Sequence, residues 1–294
     1  MKREEVNIRD PFVLLHEDTY YLYGTRSATC WGEADGFDCY TSRDLENWEG
    51  PFEVFHRPEG FFADRNYWAP ECYAHNGSFY LITTFGCADR KKGIYVLVAD
   101  SPLGPFRAVS DKPLTPKDWA CIDGSLLWEG ETPYLLFSHS FEDEPNGDMC
   151  ALPLRADLCC AVGEPMTLFS AASAPWAKPV PFAEAEFGMK GDVYFTDGPC
   201  VYRMADSSML MLWSSWSEAG YAVGAAKAVS GSVAGPWEHL SERVFPRDGG
   251  HGMLFCDKSG ALRFALHYPN ERYREHPVFF YAEERDGMLV LTGE

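Results

Sequence analysis

The chain has 294 residues, of which 46% are hydrophobic and 15% aromatic, enough for a large core and rich in rings that pack between sheets or stack on sugars. Its 25 basic and 44 acidic residues leave a formal charge of −19, which repels nucleic-acid backbones and anionic membranes and leaves a neutral small molecule as the expected partner. No run approaches the ~20 apolar residues of a membrane span, and the charged start Met1-Lys2-Arg3-Glu4-Glu5 reaches Asp10 without the apolar core of a secretory leader. The ten cysteines include no Cys-x-x-Cys pair, so they read as reduced thiols, and together with the charged start they give a cytoplasmic expectation.

In chain order, one unit recurs five times. The first opens at Arg9-Asp10-Pro11, continues through Phe12-Val13-Leu14-Leu15 and returns as Tyr20-Tyr21-Leu22-Tyr23. The second opens at Trp68-Ala69-Pro70-Glu71 and runs through Phe79-Tyr80-Leu81-Ile82, with the turn His75-Asn76-Gly77-Ser78 between the two runs. The third opens at Cys121-Ile122-Asp123-Gly124, the fourth at Thr196-Asp197-Gly198-Pro199, and the fifth at Asp248-Gly249-Gly250-His251-Gly252. Starts at 10, 71, 123, 197 and 251 suit propeller blades of four strands with generous loops. A phrase of Gly, Pro and an aromatic closes three units (Gly50-Pro51-Phe52, Gly104-Pro105-Phe106 and Gly235-Pro236-Trp237), as expected of an outer strand, where a residue without an N–H is tolerated. Helical periodicity is scarce. The expected fold is all-β, a single five-bladed β-propeller over residues 1–294.

In a propeller the first strand of every blade lines the axis. Asp10, Asp123 and Asp197 are therefore expected around one pocket, despite their distance in sequence. Three acids together suit glycoside hydrolysis, which needs one carboxyl group to protonate the leaving oxygen and another to activate water or attack the sugar. A third raises the acid's pKa by like-charge repulsion. Trp68 reads equally as blade packing or as a sugar platform, and Trp216 equally as core or pocket wall. Glu71 reads as a structural neighbour of the site. Arg272 and Arg274 read as a solvated loop.

In the order and spacing of these motifs the sequence resembles glycoside hydrolase family 43, the five-bladed inverting enzymes acting on arabinose- and xylose-containing glycans. The motifs that carry the resemblance are Arg9-Asp10-Pro11, Trp68-Ala69-Pro70, Ile122-Asp123-Gly124-Ser125 and Gly250-His251-Gly252. It implies Asp10 as general base, Asp123 as pKa modulator and Asp197 as general acid, with no required cofactor. It also implies a role for His251 in binding substrate or an axial calcium. The chain departs from the family at Asp197, where Glu is usual. Asp is one methylene shorter, and Glu184 or Glu186 just upstream is the alternative acid.

The expected activity is that of an inverting, exo-acting α-L-arabinofuranosidase or β-xylosidase on short oligosaccharides, in keeping with hemicellulose degradation. The alternatives are a catalytically silent sugar-binding propeller and a fructosidase- or phosphorylase-like enzyme of a related propeller clan.

Overall fold

A computed structural model describes residues 1–293. Twenty strands form five antiparallel four-stranded sheets, each drawn from one continuous stretch of chain. Blade one holds β1 (Ile8–His16), β2 (Thr19–Arg26), β3 (Gly36–Ser42) and β4 (Trp48–His56). Blade two holds β5 (Arg65–His75), β6 (Ser78–Gly86), β7 (Gly93–Ala99) and β8 (Arg107–Ala108). Blade three holds β9 (Cys121–Glu129), β10 (Thr132–His139), β11 (Asp148–Pro153) and β12 (Met166–Ser170). Blade four holds β13 (Asp197–Arg203), β14 (Met209–Ser217), β15 (Gly220–Ala228) and β16 (Glu238–His239). Blade five holds β17 (Gly250–Cys256), β18 (Leu262–Tyr268), β19 (His276–Arg285) and β20 (Met288–Thr292).

The first strands touch in cyclic order, β1 to β5, β9, β13, β17 and back to β1, so the sheets close into a ring around an axis. The middle strands are buried on both faces, so their rings pack between neighbouring sheets. Phe37, Phe55, Tyr67 and Phe85 fill the space between blades one and two, and Phe169, Trp176 and Trp213 that between blades three and four. Blades one and five share no sheet and meet through apolar packing, such as Trp48 on Phe279, and through polar contacts. Arg9 pairs with the fully buried Glu275 at 2.7 Å, and Ser27 donates to the same carboxylate. Pro51 lies in the outermost strand β4, while Pro105 and Pro236 precede the outermost strands β8 and β16, as their missing N–H requires. All ten cysteines are free thiols. The one α-helix among the described residues, α1 (Ala183–Phe187), belongs to the connection between blades three and four. No helix among the described residues is long and apolar enough to cross a membrane.

Candidate active site

Each first strand carries a register break at the same place. Arg9, Trp68, Ile122, Asp197 and Gly250 pair with Thr25, Thr84, Ser138, Ser214 and His267 of the adjoining second strand, and the ladder resumes three residues later. The residue just after the break is left-handed in every blade: Asp10 (φ 53°), Ala69 (45°), Asp123 (61°), Gly198 (50°) and His251 (47°). A β-bulge of this kind unpairs a residue and re-aims its side chain, here towards the axis. Asp10, Asp123 and His251 thus occupy equivalent positions. Asp197 does not, because it sits one residue earlier, level with Arg9 and Ile122, and Gly198 takes the bulge. The equivalence of the three aspartates expected from the sequence is corrected by this one-residue offset.

The offset still leaves Asp197 at the hub, because blade four presents it beside His251. The His251 Nδ1 lies 2.8 Å from Asp197, 3.4 Å from Asp10 and 3.9 Å from Asp123. All four side chains line a cavity of about 920 Å³ at one end of the axis. Trp68 and Trp216 line it too, as does Glu186 of α1, whereas Glu184 and Arg274 do not. Trp68 is fixed by its Nε1 donating to the Cys30 carbonyl (2.7 Å) and by edge contact with Trp31, whose centroid is 5.8 Å away. Trp216 meets Phe182 edge-on on the wall formed by the loop that carries α1.

Charge on this floor is shared unequally. Burial pushes the Asp123 carboxyl well above the usual carboxylate range, and the neighbouring Asp197 charge adds to it. Burial acts the same way on Asp197, but the His251 charge and hydrogen bonds from His251 and Tyr221 outweigh it and hold this carboxyl low. Burial alone would lower the His251 pKa, yet Asp10, Asp197 and Asp123 together raise it to about 10. The balance of these environments favours a proton on Asp123, a charge on Asp197 and an imidazolium at His251 whose Nδ1 faces Asp197. Thr25 Oγ1 donates to Asp10 Oδ2 at 2.6 Å.

The axial calcium that the resemblance implies would draw on Asp123, Asp197 and His251, whose donor atoms lie within 4.8 Å of one another, with water completing the six to eight ligands such an ion takes.

Glu71 is not among the residues that line the cavity. It is buried, accepts from the Tyr73 hydroxyl, and burial pushes its carboxyl to about 7. Sequence reasoning missed Tyr221 and Trp31, which line the cavity, and His267 behind Asp10. A tyrosine on a third strand and a tryptophan in a loop carry no local signal of this kind. His267 had one, standing where other blades have Ser or Thr.

A five-bladed ring with a cluster of carboxylates buried at the bottom of an axial cavity defines a class: the propeller enzymes that cleave glycosidic bonds. The model of glycosyl hydrolases family 43 matches residues 5–280, and the chain belongs to that family. It is a glycosidase. An endo-arabinase from Bacteroides thetaiotaomicron VPI-5482 is 36% identical, with a TM-score of 0.88 and 98% of each chain covered. An endo-1,4-beta-xylanase from the same organism, 24% identical, shares the fold with a TM-score of 0.75, covering 98% of this chain and 95% of that one. The extracellular exo-alpha-(1->5)-L-arabinofuranosidase ArbA of Cellvibrio japonicus (strain Ueda107) is 27% identical over 140 residues, 42% of this chain and 38% of that enzyme. The chain thus spans well under half the length of that curated relative. ArbA is extracellular, which overturns the cytoplasmic expectation: free thiols and a charged first segment do not fix a compartment.

Proposed function

We propose that the enzyme releases L-arabinose from α-linked arabino-oligosaccharides, acting from the chain end. The observation that carries this reading is the placement of Asp10 and Asp123 at the buried bottom of the cavity, only 8% and 5% exposed, which suits a terminal sugar better than the middle of a polymer. The likeness to an endo-arabinase and an exo-arabinofuranosidase supports arabinose over xylose as the sugar.

Asp10 is the base that takes a proton from the attacking water, whose oxygen bonds to the anomeric carbon as the glycosidic bond breaks. The 3.4 and 2.8 Å distances from His251 put Asp10 and Asp197 no more than about 6 Å apart, with the imidazole wedged between them. Inverting pairs stand roughly 6.5–9.5 Å apart, with sugar and water between them. Asp197, ionised and already accepting two hydrogen bonds, therefore suits charge balance on the floor. Glu186, on the cavity wall, suits delivery of the proton to the leaving oxygen. Asp123 keeps a proton on the floor, so that one negative charge remains there to face the oxocarbenium-like transition state.

Arabinose and the oligomer one unit shorter as the first products of a long linear arabino-oligosaccharide support the exo reading, and early internal fragments without free arabinose overturn it. Glu186→Gln is expected to lose ~10²-fold on natural linkages while retaining most turnover on nitrophenyl arabinofuranoside, whose leaving group needs no proton. If Asp197→Asn shows that split and Glu186→Gln does not, the acid is Asp197.

A further inference from the structure

The backbone N–H at each bulge needs an acceptor in a dry interior, and the ring supplies four in one way. Ala69 donates to Thr25 Oγ1 (2.8 Å), Asp123 to Thr84 Oγ1 (3.0 Å) and His251 to Ser214 Oγ (2.8 Å), each on the second strand of the preceding blade. Asp10 donates to the equivalent side chain of blade five, which is the imidazole of His267, Nδ1 at 3.3 Å. Blade four differs: Gly198 donates to Asp123 Oδ2 at 3.4 Å, and Ser138 Oγ is left without a partner.

A hydroxyl and an imidazole are not equivalent acceptors. Thr25 accepts from Ala69 and still has a proton, which it gives to Asp10 Oδ2. A hydroxyl at position 267 would have the same freedom, with Asp10 Oδ1 only 3.4 Å from the acceptor atom. A second O–H donor would stabilise the carboxylate and weaken it as a base. An imidazole that accepts at Nδ1 carries its proton on the far nitrogen, and Nε2 lies 3.2 Å from Asn270 Oδ1, which fixes that tautomer. His267 is fully buried and stacked on Tyr221 at 5.6 Å and 16°, so the ring cannot turn.

We propose that His267 is a positioning residue for Asp10: a neutral ring, locked as the Nε2–H tautomer, that secures the left-handed backbone of the base and gives its carboxylate no proton. Burial and the nearby Arg9 charge press its pKa down to about 3, so the ring stays neutral as the enzyme works. Asn270 lines the cavity, so the chain of contacts runs from the substrate wall through the ring to the base. The inference rests on the reading of Asp10 as base.

The test compares His267→Leu with His267→Asn, whose side-chain oxygen replaces Nδ1 as acceptor. His267→Leu is expected to lower kcat ~30-fold or more with KM within ~3-fold, because a base misplaced by about an ångström loses rate rather than binding. His267→Asn is expected to recover to within ~5-fold. Equal losses in the two folded variants, or full activity in His267→Leu, overturn the inference. Asp10→Asn, run alongside, separates the two failures: if it stays active the base assignment fails, and if it is inactive while His267→Leu is not, only the role of His267 fails. Nitrogen-15 spectra of the unmodified enzyme keep the proposal testable if His267→Leu does not fold. They are expected to show an unprotonated Nδ1 and a protonated Nε2 from pH 5 to 9, and a protonated Nδ1 contradicts it.

Discussion

Single side chains carry the chemistry here through what surrounds them. Asp123 and Asp197 are the same residue type on one floor, yet one is pushed towards protonation and the other held ionised, because Asp197 accepts hydrogen bonds from His251 and Tyr221. Glu71 shows the stability cost of burial without a charged partner. Its carboxyl ordinarily releases a proton near 4.5, and in the fold it holds on until about 7. Below 4.5 folded and unfolded chains are both protonated and nothing is lost. Between 4.5 and 7 only the unfolded chain releases the proton, so stability falls as pH rises, by about 3 kcal/mol in all. Glu71→Gln is therefore expected to raise Tm at pH 8 and leave it unchanged at pH 4. Thermal unfolding at both values checks this, and an equal shift at each removes the cause.

At the scale of the strand, the recurring bulge is the device that builds the site. Its left-handed residue is Asp in two blades, Ala, Gly and His in the others. Gly198 has little choice: a Cβ there would stand 2.8 to 2.9 Å from the His251 ring. Gly198→Ala is expected to destabilise the fold by about 1–3 kcal/mol and to displace His251. Denaturant unfolding measures the first effect, and loss of turnover in the folded fraction the second. The five units, the turns between their strands and the outer prolines were legible in the sequence because repeats and Gly-Pro phrases are local signals. The one-residue offset of Asp197 was also written there, though in another register. Aligning Pro11, Pro70 and Pro199 sets Asp197 against Arg9 and Trp68, and Gly198 against Asp10. Matching on the acids alone hid it. The roles of His267 and Tyr221 were not legible, since they depend on which second strand faces which bulge across a blade boundary.

The whole molecule is a ring, and a ring lets residues from four blades meet at one point while each stays anchored in its own sheet. Closure between blades one and five combines apolar packing, Trp48 on Phe279 and Tyr20 on Phe255, with the buried Arg9–Glu275 pair, whose Arg9 adjoins Asp10. Breaking a buried pair leaves an uncompensated charge, so Glu275→Gln is expected to cost about 3–5 kcal/mol and to loosen the bulge that holds Asp10. A fall in Tm accompanied by a fall in kcat checks that coupling, whereas a lower Tm with unchanged kcat breaks it. The most direct test of the account is turnover by Asp10→Asn on arabinotriose. Asn tolerates the left-handed backbone that position 10 requires, so the fold is expected to survive with Tm nearly unchanged. The predicted result is a loss of ~10³-fold or more in kcat. A folded Asp10→Asn enzyme that keeps a tenth of its activity contradicts the claim that hydrolysis begins at the hub.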